Sequence, residues 1–311
     1  MKKFRYLLFL PLLGMLILLF FQPRLPLYFS KTKHDNRPVV TVEYWGQLGN
    51  RLFQTAHAVS YALENDCRLI LPKRYKKDKN LQEFAKYLPF TKRPKVPFHV
   101  YEQKDLFHYK KVPFQKNICL KGYFESEKYF YPHKEVIKKI FSPTWKRKLS
   151  LWFKYREVLS HPKSVALHIR TYYYDFLSQG KNLEYYQNFP PPDMKFIQEA
   201  ISLFDEDCLF VVFSDYMPWC KSNLSKMNRN FHFIEDGDVI SDFYLMSMCT
   251  DMIISNSTFS WWAAYLNPNP NKKVVVRVPW FGSRKKTEEI VLNNWIQIEG
   301  DNSPPLPDFC R

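Results

Sequence analysis

The sequence predicts an α/β protein of two Rossmann-like domains, preceded by an N-terminal membrane-anchor helix. Short apolar runs that read as strands recur between segments whose apolar residues fall at helical spacing. They form two series, one starting at Val39 and the other at Ser164, and a charge-free stretch lies upstream of both. Strands separated by helices imply parallel sheets covered on both faces. The expected organisation is an anchor and stem over residues 1–37, one Rossmann-like domain over 38–160 and a second over 161–311.

Tyr6 to Phe21 contains no charged residue, follows Lys2, Lys3 and Arg5, and is closed by Gln22 and Pro23. As a helix it spans about 24 Å, short of a roughly 30 Å hydrocarbon core, so it must recruit Leu25 to Phe29 or thin the bilayer. A cleaved signal peptide has an apolar region of this length, but no small-x-small cleavage site follows Phe21, which favours an uncleaved anchor. Arg24, Lys31 and Lys33 balance the charges before it, so the positive-inside rule leaves orientation open. Such a chain would sit in the Golgi as a type II protein in a eukaryote, and in the inner membrane in a bacterium.

In the first series, Val39 to Glu43 alternates like a strand, a loop carries Gly46 and Gly49, and Leu52 to Leu63 reads as a helix. Arg68 to Leu71 follows as a strand, then a basic stretch, then a strand over Ile118 to Phe124 and a helix over Tyr129 to Phe141. The second series opens with the strand Val165 to His168 and a helix capped by Asp193 that runs through Leu203. Strands follow over Leu209 to Ser214, Phe231 to Ile234, Met252 to Ser255 and Val274 to Val278. Helices are expected over Asp238 to Cys249, Ser260 to Leu266 and Thr287 to Asn293.

Of 311 residues 46% are hydrophobic, with only 8 glycines and 22 prolines, so the chain can bury a core and holds no low-complexity linker. A formal net charge of +16 invites a nucleic-acid partner. Most of that excess is scattered among aromatic and acidic residues between Lys73 and Lys148, which favours a solvated or membrane-facing surface and no nucleic acid. The 6 cysteines form no CxxC pair and do not cluster with His, which argues against zinc. Sequons occur at Asn223 and Asn256, the second inside a candidate site.

No Walker A loop, G-x-G-x-x-G turn, G-x-S-x-G elbow or H-E-x-x-H helix is present, which removes ATPase, dehydrogenase, esterase and zinc-protease readings. The D-x-D triplet Asp205-Glu206-Asp207 precedes its strand and reads as a solvated turn, because ligands of such sheets bind at the carboxyl ends of strands. At those ends stand His168 and Arg170, then Asp215, then the run Ser255-Asn256-Ser257-Thr258-Phe259-Ser260 ahead of an apolar helix. Arg suits a diphosphate because its planar fork stays charged, although a structural ion pair is the competing reading. A helix N-terminus with added hydroxyls is an anion site; simple capping would need only one such residue. Trp261 and Trp262 read as core. Asp215 and Asp242 can accept from guanine or ribose, and helix capping explains Asp242 almost as well.

Asp242 to Leu266, DFYLMSMCTDMIISNSTFSWWAAYL, resembles the C-terminal signature of the α-1,2-fucosyltransferase family, glycosyltransferase family 11. Trp45 to Ala56 (WGQLGNRLFQTA), Gly122 to Phe130 (GYFESEKYF) and His168-Ile169-Arg170 resemble its other motifs, in the family's order. The resemblance implies a GT-B type fold with two domains facing a cleft, and GDP-β-L-fucose as donor. It also implies inversion to an α-L-fucoside on an acceptor such as a terminal β-galactoside, and no metal cofactor. It places Arg170 on the diphosphate, His168 and Asp242 near the guanosine, and Asn256, Ser257, Thr258 and Ser260 in the phosphate loop. Gly46, Gln47, Gly49, Asn50 and Arg51 would face the same cleft, with the two glycines letting bare backbone turn and approach the donor. This chain has Thr171-Tyr172-Tyr173-Tyr174-Asp175 where the family often has a second Arg and Gly-Asp, and Ser214-Asp215-Tyr216 where Ser-Asp-Asp is usual. Asp175, which follows H-x-R at the mouth of the sheet, is a candidate for the base. Alternatives are another linkage or acceptor, or a tethered sugar-nucleotide-binding protein or lectin that has lost transfer.

Overall fold

A computed structural model describes residues 35–84, 87–173, 188–282 and 289–300. The expected anchor over residues 6–21 and the candidate Asp175 lie outside the described residues. Among the described residues no helix is long and apolar enough to cross a membrane.

The first half contains Val39–Glu43 (β1), Leu48–Glu64 (α1), Arg68–Leu69 (β2), Leu71–Pro72 (β3), Phe90–Thr91 (β4), His99–Glu102 (β5) and Ile118–Lys121 (β6). Four of these strands form a parallel sheet in the order β2-β1-β6-β5, and β3 pairs with β4. Lys134–Phe141 (α2), Trp145–Lys154 (α3) and Arg156–Leu159 (α4) lead to the second half. There Ser164–Ile169 (β7), Met194–Ser202 (α5), Leu209–Ser214 (β8), Met217–Leu224 (α6) and Asn230–Phe233 (β9) come first. Val239–Met248 (α7), Asp251–Ile254 (β10), Thr258–Leu266 (α8), Val274–Val278 (β11) and Ile296–Glu299 (β12) follow. Their sheet runs β12-β11-β10-β7-β8-β9, all parallel, and its order reverses between β7 and β10. This is the doubly wound arrangement expected of a Rossmann-like unit.

The period-2 pattern divides the second sheet between two cores. Val165, Leu167, Ile169, Phe210, Val212, Ile253 and Val275 pack beneath α5 and α6. Their neighbours Ala166, Val211, Phe213, Met252, Ile254, Val274 and Val276 face a larger core that continues through α7 and α8 into α1 and the first sheet. Where the halves meet, Phe53 of α1 lies 4.5 Å from Trp261 and 4.9 Å from Trp262 between ring centroids, and Phe130 stacks on Trp262 at 5.3 Å. Both tryptophans are fully buried, as core residues should be.

The expected strand over Ile118 to Phe124 ends at Lys121, because Gly122 and Phe124 take positive φ, 154° and 54°. The expected helix over Tyr129 to Phe141 is two 3-10 turns, Glu127–Tyr129 and Tyr131–His133, followed by α2. The described part of the expected helix over Thr287 to Asn293 is turn and coil. There the Ile290 carbonyl accepts from Trp261 Nε1 at 2.6 Å, a bond to the core that replaces a helical one. Asp205 and Asp207 both accept from Lys163 Nζ, at 2.7 and 2.9 Å, on an exposed turn before β8.

Candidate active site

The crevice of a doubly wound sheet opens where the strand order reverses, so the chain leaving β7 and β10 forms its floor. Ser255, directly after β10, latches the two ends together. Its Oγ donates to the His168 carbonyl at 2.6 Å and accepts from the Arg170 N–H at 2.9 Å. His168 is buried, its ring 5.9 Å from Phe259, and its Nδ1 has no hydrogen-bond partner among the described residues. Burial, aided by the Arg170 charge, pushes its pKa down to about 3 and keeps the imidazole neutral.

Arg170 stands at the rim, its side chain 20% exposed and its Nη1 3.2 Å from Asp215 Oδ2. Asp215 also accepts from the N–H and hydroxyl of Thr171, at 2.7 and 3.0 Å. Asp215 therefore holds the loop after β7 and orients the guanidinium, as the ion-pair reading of Arg170 expects. Thr171, one of the departures from the family pattern, is buried and spends its hydroxyl on this carboxylate. Of the tyrosines that follow, Tyr172 is buried with φ of 61° and donates to the Asn256 carbonyl at 3.1 Å. Tyr173 stacks on Tyr216 with centroids 3.7 Å apart.

The facing wall comes from the loop after β1. Gly46 has φ of 67°, and a Cβ there would meet the Asn50 side chain. Gly49, in the first turn of α1, abuts the first turn of α8. A Cβ on it would lie 2.5 Å from Thr258 Oγ1, 2.6 Å from the Phe259 nitrogen, and closer still to the Thr258 carbonyl carbon. Two helix N-termini from the two halves thus converge, the α8 end three residues past the Ser255 that binds the Arg170 N–H. Each first turn offers N–H groups without intrahelical partners and a partial positive charge.

The first-half motif after β6 supplies a carboxylate to the same wall. Gln103 Oε1 accepts from the N–H groups of Tyr123 and Phe124 at 3.0 and 2.9 Å, holding the loop at the positive φ of Phe124. Glu125 follows, half-buried, and accepts from Asn50 Nδ2 at 2.5 Å. Burial raises its pKa to about 7 against the opposing hydrogen bond from Asn50.

The remaining candidates divide. Ser257 and Thr258 are half-buried at the α8 terminus, whereas Ser260 is fully buried and its Oγ donates to the carbonyls of Ser257 and Ser255, at 3.2 and 3.4 Å. Asn256 turns away, its Nδ2 donating to the carbonyls of Pro279 at 3.0 Å and Trp280 at 2.5 Å. Arg51 donates to the Gly46 carbonyl at 3.0 Å and to Asp78 at 2.6 Å, bracing the loop. The Gln47 N–H donates to Asn50 Oδ1 at 3.3 Å, with Gln47 exposed.

Asp242 is not the cap of α7. Asp238 is, accepting from the N–H groups of Ile240 and Ser241 at 2.9 and 3.0 Å. Asp242 packs against Gly237, its Oδ1 is buried without a partner among the described residues, and burial with Asp238 and Asp236 nearby raises its pKa to about 7. The next residue, Phe243, touches Phe259 at 5.5 Å, the same ring that His168 approaches. Glu125 was not singled out by the sequence reading, and Ser255 was named there only as part of the polar run after its strand. Their signal was present: Glu125 in the GYFES motif, Ser255 directly after a strand end.

The α-1,2-colitosyltransferase of Escherichia coli is 28% identical over 187 residues, 57% of this chain and 61% of that protein. The E. coli O-antigen biosynthesis glycosyltransferase WbnK is 26% identical over 198 residues, 60% of this chain and 63% of that one. The chain thus spans less than two thirds of the length of either relative. Human galactoside α-(1,2)-fucosyltransferase 1 is 31% identical over 121 residues, 36% of this chain and 33% of its own. Among solved structures, fucosyltransferase NodZ from Bradyrhizobium superposes with a TM-score of 0.48 at 14% identity, over 75% of this chain and 94% of that one. The family model of glycosyl transferase family 11 matches residues 30–299, and the chain belongs to that family.

Proposed function

We propose that the protein is an inverting fucosyltransferase that moves L-fucose from GDP-β-L-fucose to a galactoside, forming an α-1,2 linkage. The observation that carries this reading is the convergence of the α1 and α8 N-termini at Gly49 and Thr258, three residues past the Ser255 that binds the Arg170 N–H. Such a pair of helix ends suits a diphosphate, whose charge rises as the bond to the fucosyl carbon breaks. The buried neutral His168 and the unpartnered Asp242 oxygen suit a guanosine, which brings the donors and acceptors both atoms lack. In the transfer, an acceptor hydroxyl oxygen attacks the anomeric carbon, the carbon–phosphate oxygen bond breaks, and its electron pair leaves with GDP. Glu125 takes the hydroxyl proton, a pKa of about 7 matching that task near neutrality. Arg170 and the helix ends supply the positive charge the leaving group needs, so turnover should persist in EDTA.

The test is to incubate the protein with GDP-fucose, EDTA and a panel of β-galactosides, and to determine product linkage by mass spectrometry and NMR. An α-1,2-fucosylated product is expected. In the same assay Arg170→Lys should lose most of its turnover despite keeping the charge, because an ammonium cannot make the two parallel bonds. Binding of GDP-fucose without transfer to any acceptor would reject the transferase reading in favour of a binding protein.

A further inference from the structure

β1 and β6 of the first sheet turn alternate residues to its two faces, and Thr41 and Cys119 are buried as well as the core-facing side chains. Val40, Val42, Ile118 and Leu120 turn into the core, while Thr41, Glu43, Cys119 and Lys121 alternate to the other side. On that side lies a groove of about 510 Å³, walled by Lys73 and Arg74 from the turn after β3 and by Lys92 and Arg93 after β4. All four are exposed, and among the described residues none has a carboxylate within ion-pairing distance; the ion pairs of this half use Arg51, Lys121 and Arg147 among others. Glu43 is the one acidic residue lining the groove, leaving it strongly positive. The Arg93 guanidinium lies 3.9 Å over the Phe98 ring, which orients its donors in advance.

A chain of contacts links the groove to the loop that carries Glu125. Glu43 Oε1 accepts from Trp45 Nε1 at 3.4 Å, and Trp45 meets Tyr123 edge-on at 5.6 Å. Both rings are half-buried, and Tyr123 belongs to the loop that carries Glu125. Flat aromatic faces suit the apolar faces of sugar rings, and unpaired cations suit carboxylate, sulfate or phosphate groups.

We propose that this groove binds the acceptor and that the acceptor is an acidic glycan. Its anionic group sits among Lys73, Arg74, Lys92 and Arg93, while the sugar that receives fucose reaches Glu125 past Trp45 and Tyr123. The inference rests on the transferase reading and deepens it. A solvated charged face or a membrane contact are the competing uses of such a patch.

The test compares a neutral β-galactosyl trisaccharide with the same trisaccharide carrying one phosphate on the sugar farthest from the galactose. The phosphorylated acceptor should show a KM about tenfold lower at low salt. The gap should close between about 20 and 300 mM salt, as the Debye length falls from about 20 Å to about 6 Å. Lys73→Glu with Lys92→Glu should bring the two KM values together. Calorimetric binding of the phosphorylated trisaccharide to the GDP-bound protein should weaken in parallel, a readout that needs no turnover. Equal KM or equal binding for the two sugars overturns the acidic-acceptor inference, and so does a double variant that loses only its binding to phosphatidylglycerol vesicles. Hydrolysis of GDP-fucose without acceptor reads the donor site separately, so a failed transferase reading and a failed acceptor inference give different results.

Discussion

Asp242 and Glu125 are held in surroundings that disfavour their charged forms, as expected of groups awaiting a ligand. Asp242 is raised from 3.8 to about 7, mainly by burial. Its contribution to stability is therefore complete below about pH 4 and lost as pH rises through 7. Asp242→Asn should raise the Tm of the ligand-free protein at pH 7.5 while leaving it unchanged at pH 4, read by thermal unfolding across that range. An equal shift at both pH values would contradict the buried, unpartnered carboxylate. The two buried histidines slope the other way. His57 and His168, lowered to about 4 and about 3 by burial, give stability that is present above about 6.5 and lost as pH falls through those values.

Glu125→Gln removes the proton acceptor but keeps an acceptor oxygen for Asn50. It should lower kcat/KM by about 10²–10⁴ and abolish an acid limb centred on about pH 7, while GDP-fucose still binds. Retention of the limb in the variant would assign it to another group. At this scale the sequence was only partly informative. His168, Arg170, Ser257 and Thr258 stand where strand ends predict. Asn256 and Ser260 occupy the same motif but the Asn256 amide nitrogen and the Ser260 hydroxyl donate to backbone carbonyls, a choice set by local packing rather than by residue type.

At the scale of elements, the site depends on two helix ends that touch. Gly49→Ala would add about 1 kcal/mol of helix propensity to α1. The new Cβ would also fall on the backbone of α8, at distances no side-chain rotation relieves. The clash wins, and the termini must separate by about 1 Å, a displacement that can cost about 10²-fold in turnover. The expected result is a variant that folds with an unchanged circular dichroism spectrum and binds GDP-fucose at least about tenfold more weakly. Normal affinity would show that the convergence does not form the diphosphate pocket.

Elements with one buried face were legible. β1, β8 and β11 fall at the predicted residues because they read as short apolar runs between turn residues. β5 and β12 were not, since each is only four residues long and most of its side chains are exposed. α3 buries only Leu151 in a run of lysines and aromatics, so its periodicity is weak by sequence.

Across the whole molecule, the larger core passes from the first sheet through α1 to α8 and the second sheet without interruption. Phe53 is its hinge point, touching Trp261, Trp262 and Phe130. The intact chain should therefore unfold in a single transition. Phe53→Ala should cost about 3–5 kcal/mol and lower that transition as one event, followed by circular dichroism and tryptophan fluorescence together. Two separated transitions in either protein would mean that the halves are held together by less than this core.

The sequence by itself determined the alternation of strands and helices, the parallel sheets and the residues at the strand ends, because these follow from periodicity and turn chemistry within short windows. Its four motifs also determined the family. Only the tertiary structure decided that Gly49 meets Thr258, that Asn50 reaches Glu125, that Asp215 steers Arg170, and that Lys73, Arg74, Lys92 and Arg93 wall one groove beside the first sheet. Those facts depend on how distant segments pack and register against one another, which no local pattern encodes.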